Sequence, residues 1–270
     1  MFIFEKRFFL KATLLITTYN WSEALQLVLL SAKNLSVQPY EIIIADDGSK
    51  DQTKLLIEKF IKNSNLSIRH IWHEDKGFRR SAILNKAIAQ AEGDYIIQLD
   101  GDCIMHKDFV KDHITASREN TYLFGSRVTI KKEMLPGIFE SQKIRFGFFD
   151  KGISKRTRNL RIPLFSKWYA SKPQISKKMR GCNLSYWKKD FINVNGYNED
   201  IEGWGREDSE LILRMLHSGV LGKRLRYAGI IYHIWHRVLP KDKLDRNNEL
   251  QEKTMLEKIK RCTNGIDKYL

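Results

Sequence analysis

Short apolar runs, each closed by a polar cluster and followed by a helical pattern, constrain this chain more than any other feature. Residues 13–17 are apolar and β-branched and run into Thr18-Tyr19-Asn20; residues 23–33 then set Leu25, Val28 and Leu29 at helical spacing. Residues 41–45 predict a second strand, broken by Asp46-Asp47-Gly48-Ser49, before a helix over 53–62 with Leu56, Ile57, Phe60 and Ile61 on one face. Residues 67–72 alternate as a strand, 80–91 read as a helix, and 95–99 form an apolar strand that enters Asp100-Gly101-Asp102. Strand and helix alternating at this pitch imply βαβ units and a mainly parallel sheet covered on both faces. The expected class is α/β. Ligands of such sheets sit outside the carboxyl ends of the strands, where all three polar clusters fall, so the clusters should share one crevice.

The 270 residues suit one large α/β domain or two small ones sharing a core. Apolar residues at 42% and charged residues at 29% exclude a disordered chain, collagen and coiled coil. Cys103, Cys182 and Cys262 are too few and too scattered for a disulfide framework or a zinc cage and read as reduced thiols. No segment reaches eighteen uncharged residues, so no spanning helix is expected. Residues 1–15 faintly resemble a signal peptide, but Lys11 interrupts the apolar stretch and no small-residue cleavage site follows. The expected location is cytoplasmic.

The formal charge of +15, from 47 Lys and Arg against 32 Asp and Glu, speaks to anionic partners and not to fold. It is concentrated. Residues 131–180 carry 14 Lys and Arg against 3 acids, with Phe146, Phe148, Phe149, Trp168 and Tyr169 interspersed and little periodicity. This segment is expected to be too basic for a core layer. It would be a solvated surface, or a flap beside the crevice that rests on an anionic membrane face or grips a lipid-diphosphate acceptor.

Four constellations could carry chemistry. Two carboxylates one residue apart on a turn, Asp100 and Asp102, can face a hard divalent cation that bridges phosphates; the alternative is a polar turn capping the next helix. In Gly203-Trp204-Gly205-Arg206-Glu207-Asp208, Trp204 offers an aromatic plate, and the acids would open a helix to about residue 217. The helix dipole favours ionised carboxylates there, which suits general-base work, although it is also simply where acids prefer to sit. His233 and His236 stand at a predicted strand end over 232–236. Strand positions three apart face opposite ways, so one metal ligand at most is expected of them. Asp75-Lys76-Gly77-Phe78-Arg79-Arg80, with Asn85 a turn on, could meet a diphosphate or could be a solvated basic helix start.

Taken in order and at these intervals, Thr17-Thr18-Tyr19-Asn20, Ala45-Asp46-Asp47-Gly48-Ser49, Lys76-Gly77-Phe78-Arg79-Arg80 with Asn85, and Asp100-Gly101-Asp102 resemble a family 2 glycosyltransferase of the GT-A fold. The later Gly203–Asp208 cluster and the histidines resemble the carboxyl-terminal part of β-1,4-galactosyltransferases and bacterial chondroitin-type polymerases. The resemblance runs over roughly residues 12–240. It implies a nucleotide-sugar half at 1–130, a basic aromatic insertion at 131–180, a galactosyltransferase-like catalytic part at 181–240 and a helical tail at 241–270. It further implies that Thr18, Tyr19, Asn20, Asp46 and Asp47 lie at the uridine, with Gly77, Arg80 and Asn85 on the nucleotide side. Asp100 and Gly101 would face the ribose or donor sugar, and Asp102 with His236 or His233 would hold Mn²⁺ or Mg²⁺. Trp204, Glu207 and Asn183 would meet the sugars, and Asp208 would be the base. Arg206 departs from the galactosyltransferase motif, which usually has a glycine there.

The implied activity is inverting, metal-dependent transfer of a hexose or N-acetylhexosamine from a UDP-sugar to a saccharide or lipid-diphosphate-linked acceptor, in bacterial surface-polysaccharide synthesis. An anionic membrane surface on the inner face of the plasma membrane is a further candidate partner. Two rivals stand beside it. A nucleotidyltransferase would want a glycine-rich basic loop after the first strand, where Thr18-Tyr19-Asn20-Trp21-Ser22 has no glycine. A nucleic-acid-binding protein would suit the charge, yet the crevice acids would repel phosphates, so nucleic acid is not an expected partner.

Overall fold

A computed structural model describes residues 10–237 and 240–270; residues 1–9 of the signal-like stretch lie outside them. The described strands are β1 (Ala12–Thr18), β2 (Glu41–Asp46), β3 (Ile68–Trp72), β4 (Tyr95–Asp100), β5 (Cys103–Met105), β6 (Thr121–Gly125), β7 (Arg127–Ile130), β8 (Ile153–Ser154), β9 (Asn183–Trp187), β10 (Leu221–Leu225) and β11 (Ile231–His233). The helices are α1 (Ser22–Lys33), α2 (Asp51–Lys62), α3 (Arg80–Gln90), α4 (Phe109–Ala116), α5 (Leu135–Glu140), α6 (Pro163–Ser166), α7 (Lys188–Asn193), α8 (Glu207–His217) and α9 (Leu244–Leu256).

Among the described residues, seven strands form the main sheet in the order β10-β6-β9-β4-β1-β2-β3. Only β9 runs against its neighbours, β4 and β6. The alternation of β-branched residues explains why both faces are buried. Leu15 of β1 and Ile43 of β2 pack with Ile83 and Ile88 of α3 and Leu211 and Ile212 of α8. Their strand neighbours Leu14, Ile16, Ile42 and Ile44 face the other way, onto Leu25, Val28 and Leu29 of α1 and Phe109 of α4. Each such side chain taken fully out of water contributes about 1.5–3 kcal/mol, so a one-residue slip of β1 is prohibited on both faces at once.

A second sheet, β5-β11-β7-β8, stands beside the first and brings the histidine strand against the residues after Asp102: β11 pairs antiparallel to β5, His233 opposite Cys103. Residues 131–180 are more integrated than their charge suggests. They supply β8 to this sheet, and Ile138, Phe146 and Ile153 are buried in its core beside Val128 and Tyr232. The cationic residues are exposed or half-buried, several of them around an open cavity, while these three apolar positions face inward, so the segment is part core layer and part surface. Arg161 is not a free surface cation, because it forms ion pairs with Asp112 and Asp108. The tail is helical over α9, which docks on α8 through the Thr254 hydroxyl donating to Glu210 at 3.1 Å, and again in a 3-10 turn at Ile266–Tyr269. Among the described residues no helix is long and apolar enough to cross a membrane.

Candidate active site

The carboxyl ends of β1, β2 and β4 meet, as the parallel sheet requires. The Asp47 amide donates to the Thr18 carbonyl at 3.0 Å, the Gly101 amide to the Thr17 carbonyl at 2.6 Å, and the Thr17 hydroxyl to Asp100 at 3.0 Å. Asp47 accepts from the Arg79 amide at 2.9 Å and lies 2.7 Å from His73 Nε2, a partner the sequence reading did not single out. Asp46 is fully buried and engaged by His70 at 3.0 Å and the Ser49 amide at 2.8 Å, which makes it a support for the β2 turn behind the crevice. Tyr19 donates to Asp75 at 2.9 Å, Asp75 also takes the Gly77 amide at 3.0 Å, and Asn20 accepts the Lys50 amide at 2.8 Å. These bonds fasten the β1 and β3 loops into one rim.

Arg80, the first residue of α3, lies at the centre. Its guanidinium reaches Asp100 at 2.9 Å, Asp208 at 3.1 Å and Glu207 at 3.4 Å. The resemblance puts Arg80 on the nucleotide side; the structure encloses it among three carboxylates, because three acids gathered in one partly buried crevice demand a cation. Burial and the adjacent Asp208 push the Glu207 carboxyl up to about 7. Burial also works to raise Asp100, but the Arg80 ion pair outweighs it and leaves Asp100 below the usual carboxylate range.

Asp208 rests on Tyr197, whose hydroxyl donates to it at 3.1 Å and also bonds Gln98 of β4. Tyr197 was not legible in the sequence, since its only signal is an aromatic ten residues before the acids. Gly181 completes the support: a Cβ there would lie 1.8 Å from Asp208 Oδ2. At Arg206 the backbone takes φ +81°, the left-handed region where glycine is free of strain, which is the physical reason a glycine suits this position. The Arg206 side chain donates to Asn248 at 2.6 Å.

The histidines differ from expectation. The strand stops at His233, so the alternation rule ends there, and His236 turns back to the same carboxylate. Asp102 Oδ2 lies 3.5 Å from His233 Nε2 and 3.3 Å from His236 Nε2. Asp102, Cys103 and His233 place ligand-type atoms within 4.8 Å of one another. Cys103 is buried, its thiol pushed well above the usual range by burial, and it donates to Asp102 Oδ1 at 3.3 Å. A carboxylate oxygen with two imidazole nitrogens fits a divalent cation, while the protonated thiol supports the carboxylate.

Two expected residues have protein partners of their own. Asn85 is fully buried and spends its amide on the Tyr197 backbone and Glu199, so it ties α3 to the loop before α8. Asn183 is also buried, with its amide on His113, Ser126 and Gly229. An amide carries two donors and an acceptor, so each of the two cross-links backbone turns, and Asn183 also lines a cavity beside the crevice. Trp204 is 38% exposed, with Lys241 above its ring at 5.4 Å.

The sequence model described as glycosyl transferase family 2 matches residues 13–173. The chain belongs to this family. It is a glycosyltransferase, and residues 165–237 match a second model, the N-terminal domain of galactosyltransferase. The chain is similar to chondroitin synthase of Pasteurella multocida (strain Pm70), 23% identical over 240 residues, covering 82% of this chain and 24% of that protein. Chondroitin synthase of Escherichia coli is 25% identical over 237 residues, with 82% and 34% covered. The chain thus spans about a quarter to a third of the length of these relatives. Among solved structures, a mannosyltransferase from Pyrobaculum calidifontis in complex with GDP-Man and Mn²⁺ superposes with TM-score 0.57 at 16% identity, covering 91% of this chain and 61% of that one. GalNAc-T7 with UDP, GalNAc and Mn²⁺ gives TM-score 0.62 at 14% identity, covering 93% and 56%. These likenesses establish the GT-A fold for this family 2 chain.

Two expectations follow from the site. Tyr197→Phe leaves Gln98 and Asp208 short of a partner inside the protein, so stability should fall by about 1–3 kcal/mol in denaturant melts. An unchanged midpoint would show the hydroxyl to be idle. Glu207 ionises near 4.5 when unfolded and near 7 when folded, so the folded state holds its proton more tightly. Its contribution is greatest at low pH and is lost as pH rises from about 4.5 through 7. The wild-type melting temperature should therefore fall relative to Glu207→Gln across that window and level off above it; parallel curves would refute the assignment.

Proposed function

We propose that the chain transfers a hexose or N-acetylhexosamine from a UDP-sugar to a hydroxyl of a saccharide or lipid-linked acceptor, with inversion, in bacterial surface-polysaccharide synthesis. The observation that carries this reading is one crevice with Asp208 on Arg80 at one side and Asp102 with His233 and His236 at the other. Asp208 takes the acceptor hydroxyl proton as that oxygen attacks the anomeric carbon from the face opposite the nucleotide, so an α-linked donor gives a β-linked product. Arg80, Tyr197 and Gly181 together aim Asp208. Thr18, Tyr19 and Asp47 border the nucleoside, and Trp204 and Glu207 meet the sugars. Asp102 with the histidine pair would hold Mn²⁺ or Mg²⁺, which when bound offsets charge on the diphosphate by several kcal/mol.

The family match sets aside the nucleotidyltransferase and nucleic-acid readings. Structural neighbours carry UDP in one case and GDP-Man in the other, so the test is a panel of UDP-sugars and GDP-mannose with release of nucleoside diphosphate as readout. UDP-sugars should be used. No release from any donor would refute the proposal. The proposed place of action is the cytoplasmic face of a membrane, reached through exposed Phe149, Leu164 and Trp168 among the cations. Sedimentation with anionic but not neutral vesicles is expected, and a protein that ignores anionic vesicles at low salt overturns that placement.

A further inference from the structure

Beside the crevice lies a cavity of about 240 Å³ whose lining includes none of the residues assigned above to the nucleoside or the metal. Seven cationic side chains line it, among them Arg127, Lys155, Arg158, Arg180 and Arg224. Among the described residues none of the seven forms an ion pair with a carboxylate. Asp150, one of the three acids of the basic segment, pairs with Lys143 instead. Burial and the surrounding guanidiniums hold Lys155, Arg158 and Arg224 below their usual ranges. Protein charges of one sign gathered round a concave space repel one another unless an anion joins them.

The sheet fixes where this cavity stands. Its wall is built from Gly125 at the end of β6, Arg224 near the end of β10 and Asn183 at the start of β9. All three lie on the opposite side of β4 from β1, β2 and β3, which carry the nucleoside clusters. Arg180 and Cys182 line the cavity, and Gly181 between them abuts the Asp208 carboxylate. The proposed base therefore stands between the donor side and the cationic cavity, where an in-line displacement places the acceptor.

We infer that this cavity is an acceptor subsite for a phosphate or diphosphate group, which anchors the acceptor while a hydroxyl of its sugar reaches Asp208. This rests on the proposed function for the word acceptor; the anion site itself stands on the cavity and its charges. Seven cations exceed what one carboxylate would need, and a diphosphate offers several oxygens to forked guanidiniums.

The probe is inorganic pyrophosphate in EDTA at low salt, compared by calorimetry between wild type and the combined variant Lys155→Gln, Arg158→Gln, Arg224→Gln. The wild type should bind and its melting temperature should rise with pyrophosphate; the variant should bind at least tenfold more weakly. In anion-free buffer the variant should melt no lower than the wild type, because it has lost repulsion. UDP affinity in Mn²⁺ should stay within about twofold. A wild-type melt indifferent to pyrophosphate, or equal affinity in the variant, overturns the site. Parallel loss of UDP affinity also overturns it, by making the cavity part of the donor pocket. Glucuronate binding as tightly as pyrophosphate would refute the choice of phosphate over carboxylate. A wild type that binds pyrophosphate in the cavity but never UDP would sink the proposed function and leave the anion site intact.

Discussion

Asp208→Asn should lower kcat by about 10²-fold or more, the scale of a lost general base, while UDP affinity stays close to wild type. The substitution keeps the shape that Gly181 and Tyr197 enclose, and Arg80 retains Asp100 and Glu207 as partners, so the crevice should not open. It also removes the negative charge that, after burial, does most to raise Glu207, so the Glu207 carboxyl should titrate lower in the variant. Single-turnover measurements with a saturating donor separate chemistry from release. Wild-type kcat in Asp208→Asn would reduce Asp208 to a helix-start residue and pass the proton to another group. Gly181→Ala offers a second approach to the same point. Its Cβ would displace the carboxylate without changing the charge, and it should also cost turnover more than donor binding.

Chelation should abolish transfer, and Mn²⁺ should restore it. Among the described residues Asp102 is the one carboxylate that faces both histidines, so Asp102→Ala should lose metal-dependent UDP binding together with turnover. The histidines should share the smaller part of the loss. His233 is the more enclosed, its side chain 12% exposed against 37% for His236, and its replacement should weaken metal-dependent UDP binding more than replacement of His236. Full activity in EDTA would defeat the metal assignment, as would UDP binding in Asp102→Ala that responds to Mn²⁺ as the wild type does.

The elements legible in the sequence were those whose pattern is local. β1, β2 and β4 are apolar runs of six or seven residues, and α1, α2, α3 and α8 show apolar faces at helical spacing, so each was placed within a few residues. The strands β5, β6, β7, β9 and β10 escaped attention because they are short or interrupted by polar residues whose partners lie far along the chain. Tyr122, Lys223 and Asn183 look like surface positions in sequence and are buried in the structure. The strand predicted to reach residue 236 stops at His233, where pairing with β5 and β7 runs out, and no local signal marks that limit.

The same division runs through the site. Residue types and order determined by themselves that Asp100 and Asp102 would lie at the strand-end crevice and that Glu207 and Asp208 would open a helix; only the family resemblance implied that the two pairs share one site. Parallel strands put their carboxyl ends at one edge, and a helix start keeps acids at its amino end. Tertiary structure alone decided their partners. Arg80 stands 127 residues from Glu207 and 128 from Asp208, and only the packing of α3 beside α8 makes it their shared cation. Asn85 and Asn183 have the same side chain as many ligand-binding residues; burial turned both into cross-links. The basic segment announced its charge in sequence, but whether its cations spread over a surface or converged on a cavity depended on where β8 joined the second sheet. Charge is a property of the chain, and the field it makes is a property of the fold.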